Sequence, residues 1–175
     1  MTPDNNNYVV LVDSNDRKIG TMEKIEAHKK GALHRAFSVL IFNDKNEMLI
    51  QRRASDKYHS PNLWTNACCS HPQPGESLSD ATHRRLIEEI GFDCELQPLF
   101  QLLYKSVFEN GMIEHEFDHV FTGTYNGRVK LNPTEASEYR FISMKDLLDE
   151  VSKQPNNFTT WFKLILEQLH HNSIA

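Results

Sequence analysis

Residues 76–92 read ESLSDATHRRLIEEIGF and predict the helix around which the rest of the chain is organised. Ser77 or Ser79 can cap its first turn, and the helical pattern runs to Ile90, where Gly91 supplies a C-terminal stop. Glutamates on one face of such a helix can collect Mg²⁺, and Mg²⁺ neutralises a diphosphate. The alternative for the same residues is a solvated helix with charge pairs at i,i+4.

Strand-like stretches precede and follow this helix in the sequence, and each is bounded by turn residues. The predicted strands are Tyr8–Val12, Ala36–Phe42, Glu47–Arg52, Leu96–Phe108, Glu114–Tyr125 and Glu138–Ile142. Further helices are predicted at Thr21–His28 with Thr21 as N-cap, at Met144–Val151 and at Thr159–His171. Strands and helices mix without a regular βαβ rhythm. The pattern therefore predicts one α/β (α+β) domain over residues 1–175, with a mixed β-sheet between helices.

Composition excludes several classes of partner. The chain has 175 residues and a formal net charge of −5, which argues against a general nucleic-acid or anionic-membrane binder. No apolar run reaches the length of a membrane span, and Met1–Asn7 is polar, unlike a signal peptide. The odd set Cys68, Cys69 and Cys94 favours free thiols in a reducing compartment. We therefore expect a cytoplasmic protein.

The irregular stretch Ala54–Gly75 is the second informative feature. Long segments without periodicity inside a compact domain are usually functional. Residues 64–72 read WTNACCSHP, in which Cys69 is followed two residues later by His71. Such a cysteine can be a nucleophile or an acid/base group, or simply a buried thiol.

Histidines and paired glutamates form a third candidate group. Glu114 and Glu116 are two apart on a predicted strand, so both face the same side. Two carboxylates aimed into one space repel each other unless a cation or a proton lies between them. A divalent metal ligated by these carboxylates and by His28, His34 and His71 would meet that need. The alternative is a solvated strand face.

Scattered cations and two aromatic residues complete the candidates. Arginine and lysine are natural ligands of phosphate oxygens. The cations in question are Lys24, Arg52, Arg53, Lys57 and Arg85. Each can also be an ordinary surface residue, and Tyr104 and Trp161 can equally be packing residues.

The helix resembles the Nudix signature, G-x5-E-x7-R-E-U-x-E-E-x-G-U, in which U is a bulky apolar residue. Glu76, Arg84 and the Glu88–Phe92 stretch match it in spacing. Ser70 stands where the signature has its leading glycine, and Arg85 stands where it has its second glutamate. A cation in place of a carboxylate on the metal side suggests that this chain binds a diphosphate rather than cutting it.

Taken together, the motifs resemble type I isopentenyl diphosphate isomerase, from about Tyr8 to Trp161. The matching pieces include Trp64–Asn66, Cys69–Pro72, the altered Nudix box and Glu114–Glu116. The resemblance implies interconversion of isopentenyl and dimethylallyl diphosphate on a Nudix-like fold. It also implies a small prenyl diphosphate as partner, without nucleic acid or membrane, and a monomer or weak homodimer.

The resemblance also implies roles for single residues. Cys69 would be the acid/base on one side of the alkene, in the thiolate form, and Glu116 the acid/base on the other. Tyr104 would hydrogen-bond near Glu116, and Trp161 would shield the carbocation with its π face. The diphosphate would bind to Lys24, Arg53, Lys57, Ser70 and Arg85.

Two metal sites follow from the same resemblance. His28, His34, His71, Glu114 and Glu116 would hold Zn²⁺ or Mn²⁺. Glu89 and the backbone carbonyl of Cys69 would hold a Mg²⁺ that the diphosphate completes. The link from His28 to His34 is one residue shorter than in some members of this family.

Two other functions fit parts of the sequence. A Nudix hydrolase of a nucleoside diphosphate derivative would share the fold and Mg²⁺, but it would have no use for Cys69 or the histidines. A catalytically silent module that senses prenyl diphosphates would need no acid/base residues.

Overall fold

A mixed nine-stranded sheet forms the centre of the fold. The computed structural model describes residues 7–174, so most of the polar stretch at 1–7 lies outside the described residues. In chain order the elements are β1 (Tyr8–Val12), β2 (Lys18–Glu23), α1 (Lys24–Lys30), β3 (His34–Phe42), β4 (Glu47–Arg53), β5 (Trp64–Asn66), β6 (Cys68–Ser70), α2 (Leu78–Ile90), β7 (Leu96–Val107), β8 (Ile113–Thr124), β9 (Ala136–Ser143), α3 (Met144–Lys153) and α4 (Thr160–Ile174).

Strand β3 is the hub of the sheet. It runs parallel to β8 from the pair His34↔Glu116 to the pair Phe42↔Thr124, and it pairs antiparallel with β6. Strand β7 extends the sheet beyond β8, and β1 with β2 continues it at the start of β3. Strand β4 joins β3 at one pair only and carries β5 and β9. Parallel and antiparallel pairs thus coexist, as predicted for a mixed sheet.

Both faces of the central strands are buried. On β3, Leu40 packs in a cluster with Trp161 and Phe162 of α4, whereas Val39 and Ile41 pack in a second cluster with Leu86 of α2. Successive side chains of a strand point to opposite faces, so one apolar strand serves two cores. The prediction of a sheet between helices is confirmed.

The predicted start of the first helix is wrong. Thr21 does not cap it; it lies in β2 opposite Val10 of β1. The helix begins at Lys24, and the side chain of Glu23 accepts a hydrogen bond from the Glu26 backbone N–H at 2.9 Å. Pairing with β1 overrides the local capping preference of threonine, because the strand pair satisfies several backbone groups at once.

The ends of α2 agree with the sequence. Ser77 accepts a hydrogen bond from the Asp80 backbone N–H at 3.0 Å. Gly91 has φ +74° and its N–H bonds the carbonyls of Leu86 and Ile87. The Asn110-Gly111 link joins β7 to β8 as predicted, and no helix among the described residues is long and apolar enough to cross a membrane.

Gly91→Ala is expected to destabilise the fold more than Gly111→Ala. Both glycines have positive φ, +74° and +80°, so both variants lose about 1–2 kcal/mol for placing a Cβ in the left-handed region. At Gly91 the new Cβ would also lie 2.7 Å from the Lys130 carbonyl oxygen, whereas at Gly111 it meets nothing within 4 Å. Urea unfolding should show an additional loss of at least about 1 kcal/mol for Gly91→Ala. Equal losses would show that the Gly91–Lys130 contact does not restrain the end of α2.

Candidate active site

One cavity of about 310 Å³ collects most of the candidate residues. It is bordered by α1, by the loop between β4 and β5, and by strands β6, β7 and β8. The predicted residues that line it are Lys24, Arg53, Lys57, Cys69, Ser70, His71, Arg85, Tyr104, Glu114, Glu116 and Trp161. Three further candidates contact residues that line the cavity. His34 contacts His71, and Glu89 pairs with Arg85. His28 lies in one cluster with His34, His71 and Glu116. Arg52 lies outside the cavity and pairs with Glu138 on the surface.

Two buried carboxylates form the polar floor of this cavity. Glu114 and Glu116 are 4% and 7% exposed and project from the same face of β8. Tyr104 lies opposite Glu116 on β7, and its Oη is 2.8 Å from Glu116 Oε2 and 3.1 Å from Glu114 Oε2. The phenol has a single hydrogen to share between them, so it satisfies only part of this acceptor group.

Imidazole nitrogens surround Glu116 from the other side. His71 Nε2 is 3.0 Å and His34 Nε2 is 3.5 Å from Glu116 Oε1. The Nδ1 atoms of His34 and His28 lie 2.8 and 2.7 Å from the carbonyls of Ala32 and Lys24. Each carbonyl accepts a hydrogen bond from the Nδ1–H of its histidine. The Nε2 atoms of His28 and His34 therefore carry no hydrogen, and each has a lone pair that can bind a metal ion. His28 Nε2 is buried without a hydrogen-bond partner.

The donor atoms have the spacing of metal ligands. The nitrogens of His28, His34 and His71 and an oxygen of Glu116 all lie within 4.8 Å of one another. Adjacent ligands on a cation with bonds of about 2.0–2.2 Å are separated by about 2.9–3.6 Å. His34 Nε2–His71 Nε2 is 3.2 Å, and the two distances to Glu116 fall in the same range. These residues therefore fit a divalent cation, and the shorter link to His28 does not remove it from the cluster.

The carboxyl groups titrate differently because their neighbours differ. Burial raises the pKa of Glu114, and the adjacent charge of Glu116 raises it further. Burial also acts to raise the pKa of Glu116, but the adjacent imidazoles of His34 and His71 overcome this effect and hold that pKa well below its usual range. One member of the pair keeps its charge more readily than the other.

Asp118 is a third carboxylate in line with Glu114 and Glu116, and the sequence analysis did not predict it. It is fully buried two residues beyond Glu116, on the same face of β8. Ser38 Oγ donates to Asp118 Oδ2 at 2.8 Å, and Oδ1 has no partner. Burial and the charge of Glu116 raise its pKa to about 8. The i,i+2 continuation from Glu116 is the sequence signal that could have found it.

The side chains of Cys68 and Cys69 lie on opposite sides of β6. Cys68 is fully buried in the core cluster under α2, whereas Cys69 is half-buried and lines the cavity. Cys69 pairs with Ser38 of β3, which separates β6 from β8. Burial raises the pKa of Cys69, Arg53 opposes the rise, and the charges of Glu89, Glu114 and Glu116 add to it. The resting thiol thus keeps its proton. All three cysteines are free, as predicted.

Three cations meet at the mouth of the cavity. Burial lowers the pKa of Lys24, and so does repulsion from Lys57 and Arg85. Glu135, on the loop before β9, lies 2.5 Å from Lys57 Nζ and 3.1 Å from Arg85 Nη2. No sequence pattern pointed to Glu135, since its role depends on a loop that returns from the far end of the chain.

The altered position of the Nudix box lies inside this charge network. Arg85 Nη2 is 2.8 Å from Glu89 Oε1, and Arg85 Nη1 is 2.7 Å from Glu88 Oε2. The i,i+4 pair of the solvated-helix alternative exists, but Glu89 is only 3% exposed. Gln51 Nε2 donates to the other oxygen of Glu89 at 3.1 Å. Arg84, the arginine that matches the signature, forms a two-point pair with Glu76.

Trp161 forms an aromatic wall of the cavity. It is 3% exposed, and the Arg53 guanidinium lies 5.2 Å from its ring centroid. Arg53 also donates to the carbonyls of His59 and Ser60 at 3.3 and 3.2 Å, so it holds the loop between β4 and β5. The ring belongs to the apolar core and to the site at once.

A buried polar chain links the cysteine strand to Trp161. Asn66 Nδ2 donates to the carbonyls of Cys68 and Val39 at 2.7 and 3.2 Å. Thr65 Oγ1 donates to Asn66 Oδ1 at 2.9 Å and accepts from Thr159 Oγ1 at 3.0 Å. Thr159 directly precedes α4, which carries Trp161. No local pattern in the sequence connects these residues, because Thr65 and Thr159 are 94 positions apart.

Comparison with known proteins agrees with this geometry. The NUDIX domain family matches residues 32–162. The chain is 48% identical to an isopentenyl-diphosphate Delta-isomerase of Pectobacterium atrosepticum over 92% of this chain and 90% of that protein. It is 47% identical to isopentenyl-diphosphate Delta-isomerase 2 of Aromatoleum aromaticum over 92% and 85%.

Solved structures agree on the fold alone. DR0079 from Deinococcus radiodurans superposes with a TM-score of 0.70 at 18% identity, covering 83% of this chain and 89% of that one. A MutT protein from Methanosarcina mazei Go1 gives 0.68 at 22% identity, covering 81% and 95%.

Thr159→Val should destabilise the protein and impair the site. The change keeps the side-chain shape but leaves Thr65 Oγ1 without its donor, at a cost of about 1–3 kcal/mol. Thr124→Val on exposed strand surface is the matched control and should stay within about 0.5 kcal/mol of the parent. Trp fluorescence under urea unfolding measures both. Equal stability of the two variants would show that the buried chain from Asn66 to Thr159 does not hold α4 in place.

Proposed function

The chain belongs to the NUDIX domain family and, within it, to the isopentenyl-diphosphate Delta-isomerases, and we propose from this premise which of its residues carry the reaction. The protein interconverts isopentenyl diphosphate and dimethylallyl diphosphate. One observation carries the assignment of residues: a single cavity presents Cys69 and the Glu116–Tyr104 pair beside the cations at its mouth. Hydrolysis of a nucleoside diphosphate derivative is not favoured by the curated relatives.

The diphosphate binds where Lys24, Lys57 and Arg85 converge. Besides burial, repulsion from Lys57 and Arg85 lowers the pKa of Lys24, and an anion bound between the three would relieve this repulsion, which supports the proposal. Ser70 and Arg53 line the same cavity and complete the set. Arg85 offers planar donors and Lys24 and Lys57 offer point charges, a combination suited to phosphate oxygens.

Two divalent-cation sites are part of the proposal. His28, His34, His71, Glu114 and Glu116 would hold Mn²⁺ or Zn²⁺, and Glu89 with the Cys69 carbonyl would hold Mg²⁺. When bound, the first cation would neutralise the carboxylate pair and the second would neutralise the diphosphate. The unpartnered His28 Nε2 and the ligand-like spacing around Glu116 support the first site.

The alkene lies between Cys69 and Glu116. One of these groups gives a proton to the terminal carbon of the double bond, and the other removes a proton from the carbon on the far side of the cationic carbon, so the substrate keeps its number of protons. Proton exchange with solvent then returns each group to its starting protonation state. The group that gives a proton in one direction takes it back in the reverse direction. Tyr104 holds Glu116 by its 2.8 Å contact and can relay a proton to it.

Trp161 stabilises the tertiary cation formed in between. A desolvated cation over an indole face gains about 2 kcal/mol. Trp161 lines the cavity and is almost fully buried, which supports this role. The core packing of Trp161 excludes water from that side of the cavity, which protects the intermediate from hydration.

The resting protonation state modifies the expectation for Cys69. A thiolate was expected from the resemblance, but burial raises the pKa of this thiol. A protonated Cys69 can give its proton to the alkene in one direction, and its thiolate is the acceptor in the opposite direction.

A cytoplasmic location and a monomer or weak homodimer complete the proposal. Three free cysteines support a reducing compartment. The net charge of −5 supports the absence of nucleic-acid and membrane partners, since a general binder of either would need a strongly basic face. The substrate is a small prenyl diphosphate.

Isopentenyl diphosphate incubated in D₂O with Mg²⁺ should yield deuterated dimethylallyl diphosphate, followed by ¹H NMR of the alkene signals. Cys69→Ala should reduce the rate at least about 100-fold, because positioned acid/base groups contribute about 10²–10⁴. Cys94→Ala, which removes a thiol outside the cavity, should match the parent. Normal turnover and deuterium uptake by Cys69→Ala would refute the role of Cys69. Release of phosphate or monophosphate from a nucleotide panel without isomerisation would instead favour the hydrolase.

A further inference from the structure

We propose that His59 is a fourth histidine ligand of the cation held by His28, His34 and His71. His59 lies on the loop between β4 and β5, and neither the signature nor the resemblance assigned it a function. The inference rests on the metal site proposed above and adds one donor to it. The donor set would then be four imidazoles and two carboxylates.

The geometry around His59 matches that of the other donors. His59 Nε2 lies 3.4 Å from Glu114 Oε1, and both side chains are buried, at 6% and 5% exposure. This distance is long for a hydrogen bond, which prefers 2.7–3.2 Å. It falls within the range of about 2.9–3.6 Å expected between adjacent ligands of one cation with bonds of about 2.0–2.2 Å.

His28 connects His59 to the main cluster. His28, His59 and Glu114 offer ligand atoms within 4.8 Å of one another, and His28 belongs equally to the group with His34, His71 and Glu116. The rings of His28 and His59 are stacked with centroids 6.0 Å apart. An imidazole Nε2 has one lone pair and cannot bind two cations at once. The two groups share His28, so a cation bound by His28 can draw its further ligands from both.

Packing alone does not account for the orientation of His59. The ring stacks on Phe108 at 5.0 Å and meets Trp161 edge-on at 5.8 Å, contacts that any aromatic residue could make. Only a histidine places a nitrogen toward Glu114. Phenylalanine at this position would keep the packing and remove the donor, so it separates the two roles.

A ligand on this loop would couple the cation to the diphosphate. Lys57 is two residues before His59, and the Arg53 guanidinium donates to the His59 carbonyl at 3.3 Å. A cation that holds His59 thus fixes the segment that presents Lys57 to the substrate. Metal binding and diphosphate binding should then favour each other.

Co²⁺ provides the test, because its visible absorption reports the number and type of ligands. Purified full-length protein, stripped with a chelator and reloaded with Co²⁺, is compared with His59→Phe, His59→Ala, His34→Ala and His170→Ala. His170 is exposed on α4 and controls for adventitious surface binding. The dissociation constant comes from competition with a chelator, and circular dichroism verifies the fold of each variant.

Both His59 variants should bind Co²⁺ about 10–100-fold more weakly than the parent and show a changed absorption spectrum, as expected on loss of a donor from the site. His34→Ala should also lose affinity, and His170→Ala should match the parent. If His59→Phe keeps the parent's affinity and spectrum while His34→Ala loses them, His59 is a packing residue and the inference fails. If His34→Ala also matches the parent, the whole metal site fails.

Discussion

The burial of Glu114, Glu116 and Asp118 on one face of β8 is the constraint on which the rest of the site depends. Carboxylates this close cannot all ionise away from water without compensation. The three carboxyl groups are compensated unequally by their neighbours. Imidazoles face Glu116, and the Tyr104 phenol contacts both Glu116 and Glu114. Asp118 accepts a single hydrogen bond, from the Ser38 hydroxyl. A divalent cation on the proposed histidine site would complete the compensation. The asymmetry lowers the pKa of Glu116 and raises that of Glu114.

The sheet makes this concentration of acid possible. Parallel pairing of β3 with β8 sets His34 beside Glu116, and antiparallel pairing of β7 with β8 sets Tyr104 on its other side. The strand register therefore aligns three of the proposed site residues, His34, Glu116 and Tyr104, across neighbouring strands. The cores on both faces of the sheet keep this register rigid, and rigid support is what acid/base geometry requires. The same framework occurs in Nudix proteins with other activities, so the chemistry resides in the side chains.

Local signals in the sequence predicted what local physics decides. Ser77 and Gly91 bound α2 because capping is a property of a few adjacent residues, and Cys69, Glu114 and Glu116 were found by motif and by strand alternation. The prediction that Thr21 caps the first helix was wrong, because pairing of β2 with β1 outweighed the capping preference of this threonine. His59, Glu135 and Thr159 were missed because each acquires its role from a residue distant in the chain. The roles of the site residues remain predictions, whereas the fold, the free cysteines and the family are confirmed.

The most direct test of the central constraint is the free energy of unfolding of the metal-free protein at neutral pH, compared with that of the Glu114→Gln variant. The variant should be the more stable of the two when both are metal-free, because burial and the charge of Glu116 raise the pKa of Glu114 above its unfolded value, so this carboxyl group disfavours folding at neutral pH. Mn²⁺ at 100 times the parent's dissociation constant should stabilise the parent by about 2.7 kcal/mol, and the same Mn²⁺ concentration should stabilise the variant by less. A metal-free parent more stable than the variant, with equal Mn²⁺ effects on both, would contradict the account.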